Sequence, residues 1–215
     1  DLKQDVNGIW RMDLQDMEEK IRDGQIRVAI FCSPHNPTGR VWEREELEAV
    51  SALFEKYGVT VISDEIWSDL ILPGHTHIPF SQVSAYAHDN TVELYAPSKT
   101  FNLAGLIGSY HIIYNENLRK RIKTFEAATS YNQMKVLSMY ALMGAYTQEG
   151  GLWVDSLLKV LQENVETAMN ALAKVSGISV AKPQGTYMLF LDCTEFCEKS
   201  GMTLDELLKA GYAVG

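Results

Sequence analysis

The amino-acid sequence predicts an α/β fold, a mostly parallel sheet layered with helices and followed by the start of a smaller α+β unit. Three observations carry that expectation. Short β-branched apolar runs alternate with amphipathic stretches at helical spacing. One pair of runs is joined by a single helix, the pattern of a right-handed βαβ crossover. The tail then turns to two short strand-like runs around a Pro/Gly turn.

In order, a first helix is expected from Asp13 to about Asp23. Asp13 is its candidate N-cap, Leu14, Met17 and Ile21 share one face, and Gly24 ends it. "VAIFC" (28–32) reads as a buried strand. In "EREELEAVSALFEKYG", Leu47, Val50, Leu53, Phe54 and Tyr57 fall on one helical face, acidic residues crowd the first turn, and Gly58 stops the helix. "VTVIS" (59–63), "TVELY" (91–95) and "SYHIIY" (109–114) are further strands. Helices are expected at about 116–128 and 133–147, then "EGG", then a long helix over about 152–174. "ISVAKPQGTYMLFLD" gives two short strands and Thr203–Ala210 a last helix. A boundary inside the long helix divides the chain into 1–160 and 161–215. The chain opens and closes in mid-element, as a fragment lacking both ends would.

Composition narrows the function classes. Hydrophobic residues make up 46% and charged residues 22%, as in soluble globular proteins. A net charge of −9 argues against nucleic-acid and anionic-membrane surfaces, and leaves small molecules as partners. The one basic cluster, "NLRKRIK", carries Leu118 and Ile122 at helical spacing and reads as a solvated helix face. Cys32, Cys193 and Cys197 form neither a metal nor a disulfide framework, which fits a reducing cytoplasm. No apolar stretch approaches the ~20 residues of a membrane span, and no signal peptide is apparent, so a cytoplasmic location is expected.

In open α/β sheets ligands bind beyond the carboxyl ends of the strands. There the sequence is chemically dense: "SPHNPTG" follows the first strand and carries Asn36, Asp64 ends the second, and "PSK" with Ser98 and Lys99 follows the third. A lysine, a carboxylate and an amide at one sheet edge match the needs of a pyridine aldehyde cofactor. They offer a Schiff-base partner, an anion for the ring nitrogen and a donor for the ring hydroxyl.

"SPHNPTGRVW", "SDEIWSDL" and "APSKTFNLAGL", in that order, resemble the signatures of the fold type I pyridoxal-phosphate enzymes, the aspartate aminotransferase-like superfamily. The nearest branch is the cystathionine β-lyase or C-S lyase group of MalY/PatB type. The resemblance spans nearly the whole chain and implies part of a three-layer large domain over 1–160 and the beginning of a small domain over 161–215. It implies that Lys99 is the lysine carrying pyridoxal 5′-phosphate and the catalytic residue. By the same resemblance Asp64 partners the pyridine nitrogen, Asn36 donates to the ring hydroxyl, Ser98 contacts the phosphate and Ile66 packs on one ring face. Trp67 stands where many relatives have tyrosine and where this branch would have histidine. Ile107 stands where many aminotransferases have a phosphate-clamping arginine, a departure that favours the lyase branch. The implied activity is release of a thiol, pyruvate and ammonia from a cysteine-type substrate by a homodimer. An aminotransferase, and a non-catalytic module that retains the fold, stay open as alternatives.

Other motifs read as structural. His75 and His77 lack a third ligand at metal spacing. Cys32 reads as a core thiol, and Met134, Met139 and Met143 as packing residues.

Overall fold

A computed structural model describes residues 1–131 and 133–212. The chain begins with an antiparallel hairpin, β1 (Leu2–Gln4) and β2 (Trp10–Met12), too short for hydrophobic periodicity to announce it. Helix α1 (Leu14–Asp23) follows, with Asp13 capping it by accepting a hydrogen bond from the Asp16 amide at 3.2 Å. Strand β3 (Val28–Cys32), helix α2 (Arg44–Tyr57) and strand β4 (Thr60–Asp64) form the expected crossover, the two strands pairing in parallel. Gly58 ends α2 in the left-handed conformation at φ 66°.

After β4 the chain crosses a long loop and the short helix α3 (Ala85–Asn90) to reach β5 (Thr91–Tyr95), parallel to β4. A one-turn helix, α4 (Pro97–Thr100), follows immediately. Strand β6 (Tyr110–Ile112) completes the sheet in the order β3-β4-β5-β6 and runs antiparallel to β5. The chain continues through α5 (Glu116–Thr129), α6 (Val136–Ala145) and α7 (Gln148–Leu172). It then passes through β7 (Ser179–Val180), β8 (Leu191–Asp192), α8 (Thr194–Ser200) and α9 (Leu204–Tyr212).

The core lies on one face of the sheet. Leu47, Val50 and Phe54 of α2 pack there with Phe31, Val61 and Phe80. Phe80 meets Phe31 at 5.1 Å and Phe54 at 6.2 Å between ring centroids. Each such buried side chain contributes about 1.5–3 kcal/mol. On the opposite face Val28 and Ile30 are 55% and 79% exposed, so "VAIFC" is buried on one face only rather than throughout, as its apolar run predicts, because no described element covers the other face there.

Three further expectations needed correction. "EGG" is the first turn of α7 rather than a linker, because the Thr147 side chain caps it by accepting from the Gly150 amide at 3.1 Å. The tail strands shrink to two residues each, and Tyr187–Phe190 runs irregularly between them. Met139 and Met143 are 43% and 60% exposed, since α6 is apolar all round and one face cannot bury them all.

Candidate active site

The three parallel strands bring their carboxyl ends to one edge. Cys32 and Asp64, the last residues of β3 and β4, are paired across the sheet, and Asp64 is paired in turn with Leu94 of β5. Beyond those ends stand the residues singled out from the sequence.

Asn36 is exposed in the turn after β3, between His35 and Arg40, which bridge as an isolated antiparallel pair. Gly39 takes φ 66° in that turn, and its carbonyl accepts from the Gln184 and Gly185 amides at 2.9 and 3.0 Å. Arg40 is 3% exposed, so its charge must be fully partnered. Its guanidinium donates to the Trp10 carbonyl at 3.0 Å, to Gln184 Oε1 and Glu46 Oε2 at 2.5 Å each, and to the Val41 carbonyl. The tail is thereby docked onto the turn carrying Asn36.

Asp64 is half-buried, and its Oδ1 accepts from the Ile66 amide at 3.3 Å. Ile66 is half-buried and Trp67 is 2% exposed. The indole Nε1 of Trp67 is buried without a hydrogen-bond partner. Buried donors are nearly always satisfied, so an orphan of this kind calls for an explanation. The Tyr187 ring, from the tail, meets Trp67 in a T-shaped arrangement with centroids 4.6 Å apart.

Ser98 and Lys99 are half-buried on α4. Lys99 Nζ lies 5.4 Å from the centroid of the Trp67 ring, a cation–π contact. Lys99 and Trp67 are thus in direct contact, while Asp64 and Asn36 share their sheet edge.

Behind this edge lies a set of buried polar groups that sequence reasoning missed. Glu65 is wholly buried; Oε1 accepts from Ser63 Oγ at 2.8 Å and the Phe80 amide at 2.9 Å, and Oε2 from His77 Nε2 and the Tyr95 hydroxyl at 2.8 Å each. Burial and the adjacent Glu65 carboxylate push the Tyr95 phenol well up, so it stays a donor. Thr100, also buried, donates its Oγ1 to Oδ2 of the exposed Asp69 at 2.9 Å. Glu93, also buried, accepts from the Ser81 amide at 3.0 Å, and burial raises its carboxyl above the usual range. The one available signal was the acidic doublet Asp64-Glu65 at a strand end. Burial likewise raises the Cys32 thiol, which fits a core role rather than a nucleophile.

Residues 4–214 match the family described as aminotransferase class I and II. The chain belongs to that family. Among its members, the chain is 34% identical to the cystathionine beta-lyase PatB of Bacillus subtilis (strain 168), over 97% of this chain and 54% of that protein. The fold matches that of the PLP-bound C-S lyase from Staphylococcus hominis with a TM-score of 0.85 and 31% identity, over 94% of this chain and 50% of that one. It also matches cystalysin from Treponema denticola, whose structure contains a pyridoxal 5′-phosphate cofactor, with a TM-score of 0.83 and 34% identity, over 89% of this chain and 48% of that one. The chain spans about half the length of these relatives. The mixed α/β fold with a mostly parallel sheet is the one these relatives share.

Proposed function

We propose that the protein containing this chain is a pyridoxal-phosphate-dependent carbon–sulfur β-lyase. It would release a thiol such as homocysteine, with pyruvate and ammonia, from a cysteine S-conjugate. The observation that carries the reading is Lys99, half-buried against Trp67 at the sheet edge where Asp64 and Asn36 also stand. The names of the relatives support the lyase branch.

The residues present fit the cofactor: a primary amine, a carboxylate and a side-chain amide at one edge, beside a buried indole N–H with no partner. Bound there, pyridoxal 5′-phosphate supplies an aldehyde for the lysine and a cationic ring that takes up electrons from the substrate Cα. Asp64 would hold the proton on the ring nitrogen. Asn36 would donate to the ring hydroxyl, Ser98 would bind the phosphate, and Ile66 would pack on one ring face. Trp67 lies against the Lys99 amine. The free Lys99 amine would remove the substrate Cα proton as general base, and the thiolate would depart from Cβ with the electron pair of the broken C–S bond.

The remaining assignments are of one piece with this. Residues 1–160 form part of the cofactor-binding large domain and 161–215 the beginning of a small one, with α7 as the bridge. A small-molecule amino acid is the substrate, the compartment is the cytoplasm, and the assembly is a homodimer. Exposed Leu137, Tyr140 and Met143 on α6, at 73%, 64% and 60%, support a subunit contact. No helix among the described residues is long and apolar enough to cross a membrane.

The family match also favours a second reading, an aminotransferase using the same lysine. The test begins with borohydride reduction of the intact protein incubated with pyridoxal phosphate, then peptide mapping. A reduced adduct on Lys99 is expected, and its loss in Lys99→Ala. Absence of any adduct would sink the cofactor reading and leave a non-catalytic module. Steady pyruvate release from cystathionine with no added keto acid separates lyase from aminotransferase.

A further inference from the structure

We propose that Glu65 and Asp69 are positioning residues, two carboxylate struts that tie the turn bearing Lys99 to the strand end bearing Asp64. Glu65 follows Asp64 directly in the chain. Its carboxylate has each oxygen doubly engaged, and one of the four donors is the hydroxyl of Tyr95, the last residue of β5. Pro97 opens α4 two positions later, and Lys99 sits within that single turn. The second strut reaches the same turn at Thr100. Thr100, fully buried and adjacent to Lys99, donates to Asp69, which lies in the loop that Asp64 begins.

The turn has few backbone hydrogen bonds to hold it. α4 is one turn long; the Phe101 amide donates to the Pro97 carbonyl at 2.9 Å and the Leu103 amide to the Ser98 carbonyl at 3.1 Å. Isolated turns of this length are unstable in water, so side-chain anchors decide their position. Both anchors are charge-assisted hydrogen bonds, the strong kind; Glu65 makes its own in a desolvated setting, while Asp69 is exposed and reaches in to the buried Thr100. Glu65 also takes Phe80 N and His77 Nε2, so the loop between β4 and α3 is fastened to the same point. A side chain that reacts must be held within fractions of an ångström of its partner's position, and a misplacement of ~1 Å can cost roughly a hundredfold in rate. The struts meet that need for Lys99 relative to Asp64 without touching the ligand.

The link to turnover rests on the cofactor reading above; the fastening of the turn does not. The test therefore has two arms on the intact protein, using Tyr95→Phe and Thr100→Val, each of which removes one hydroxyl and keeps the shape of the side chain. In the cofactor-free protein, hydrogen exchange of residues 97–103 should rise about tenfold in each variant, with α2 unchanged. In the loaded enzyme, turnover per borohydride-trapped Lys99 should fall about tenfold in each, at unchanged KM for cystathionine. A purely structural role would lower the folded fraction and leave turnover per trapped site alone. Unchanged exchange at 97–103 in both variants overturns the struts, and unchanged turnover per trapped site overturns their positioning role. If the wild type traps no adduct, the cofactor reading fails on its own and exchange still decides the struts. Glu65→Gln, which puts an amide N–H₂ among donors, should reproduce the exchange effect at 64–69 as well as at 97–103.

Discussion

The indole of Trp67 does two things that separate substitutions can disentangle. Its ring fills a nearly sealed space beneath Lys99 and against Tyr187, and its Nε1 is a buried donor with nothing to donate to. Trp67→Ala should lower unfolding free energy by about 3–5 kcal/mol in a urea titration. Trp67→Phe keeps most of the packing and discards only the orphan N–H, so it should cost about 1–2 kcal/mol or less. The same variant should weaken retention of pyridoxal phosphate on dialysis if the orphan faces a bound acceptor. At this scale the sequence was informative where chemistry is carried by residue type. Lys99, Asp64 and Asn36 could be picked out together because a lysine, a carboxylate and an amide follow three successive strands; singly, Asn36 and Asp64 are also ordinary turn and strand-end residues. Glu65, Asp69 and Arg40 were illegible, because what defines each is its set of partners. Those partners lie up to 144 residues away in the case of Arg40 and Gln184.

Among the elements, strands β3, β4 and β5 and helix α2 were read closely, since each has a full apolar face and an unambiguous stop. The hairpin β1–β2, helix α3 and the one-turn α4 were not, being too short to repeat the pattern that would betray them more than once. Two glycines show how differently a stop signal can be enforced. Gly58 has φ 66° and open space where a Cβ would go, so Gly58→Ala should cost only the backbone strain of about 1–2 kcal/mol. Gly39 has the same φ, but a Cβ there would meet Pro183 Cβ at 2.7 Å and the Gly185 carbonyl at 2.8 Å. Gly39→Ala should therefore cost about 2–5 kcal/mol. It should also raise proteolytic cleavage within 179–192, because the tail would be pushed off its seat. Thermal melts and limited proteolysis of the pair check both statements.

For the molecule as a whole, two histidines give stability a direction in pH. Burial pushes the His35 imidazole below its ordinary value of 6.5. Burial, then the Arg40 and Lys182 charges, does the same to His75. The unfolded chain consequently binds protons that the folded chain resists, so stability is full above that value and is lost as pH falls through it. His35→Gln and His75→Gln combined should flatten the fall in melting temperature between pH 7 and pH 5, a window above the range where the salt-bridged carboxylates begin to titrate. What composition and pattern could not foretell at this scale is how the tail closes on the rest. The contact of residues 183–185 with the Asn36 turn has no local signature, being made of backbone amides, one glutamine and one arginine. Its consequence is temporal. During synthesis the Asn36 turn leaves the ribosome well before the amides of Gln184 and Gly185 that fasten the Gly39 carbonyl, and before the side chain that shares Arg40, 144 residues further on. Strands β3, β4 and β5 can assemble in that interval, while the Arg40 guanidinium has an incomplete set of acceptors. A later segment thus completes an earlier turn, and a nascent chain halted between them would carry the lysine and the carboxylate without the seat for Asn36.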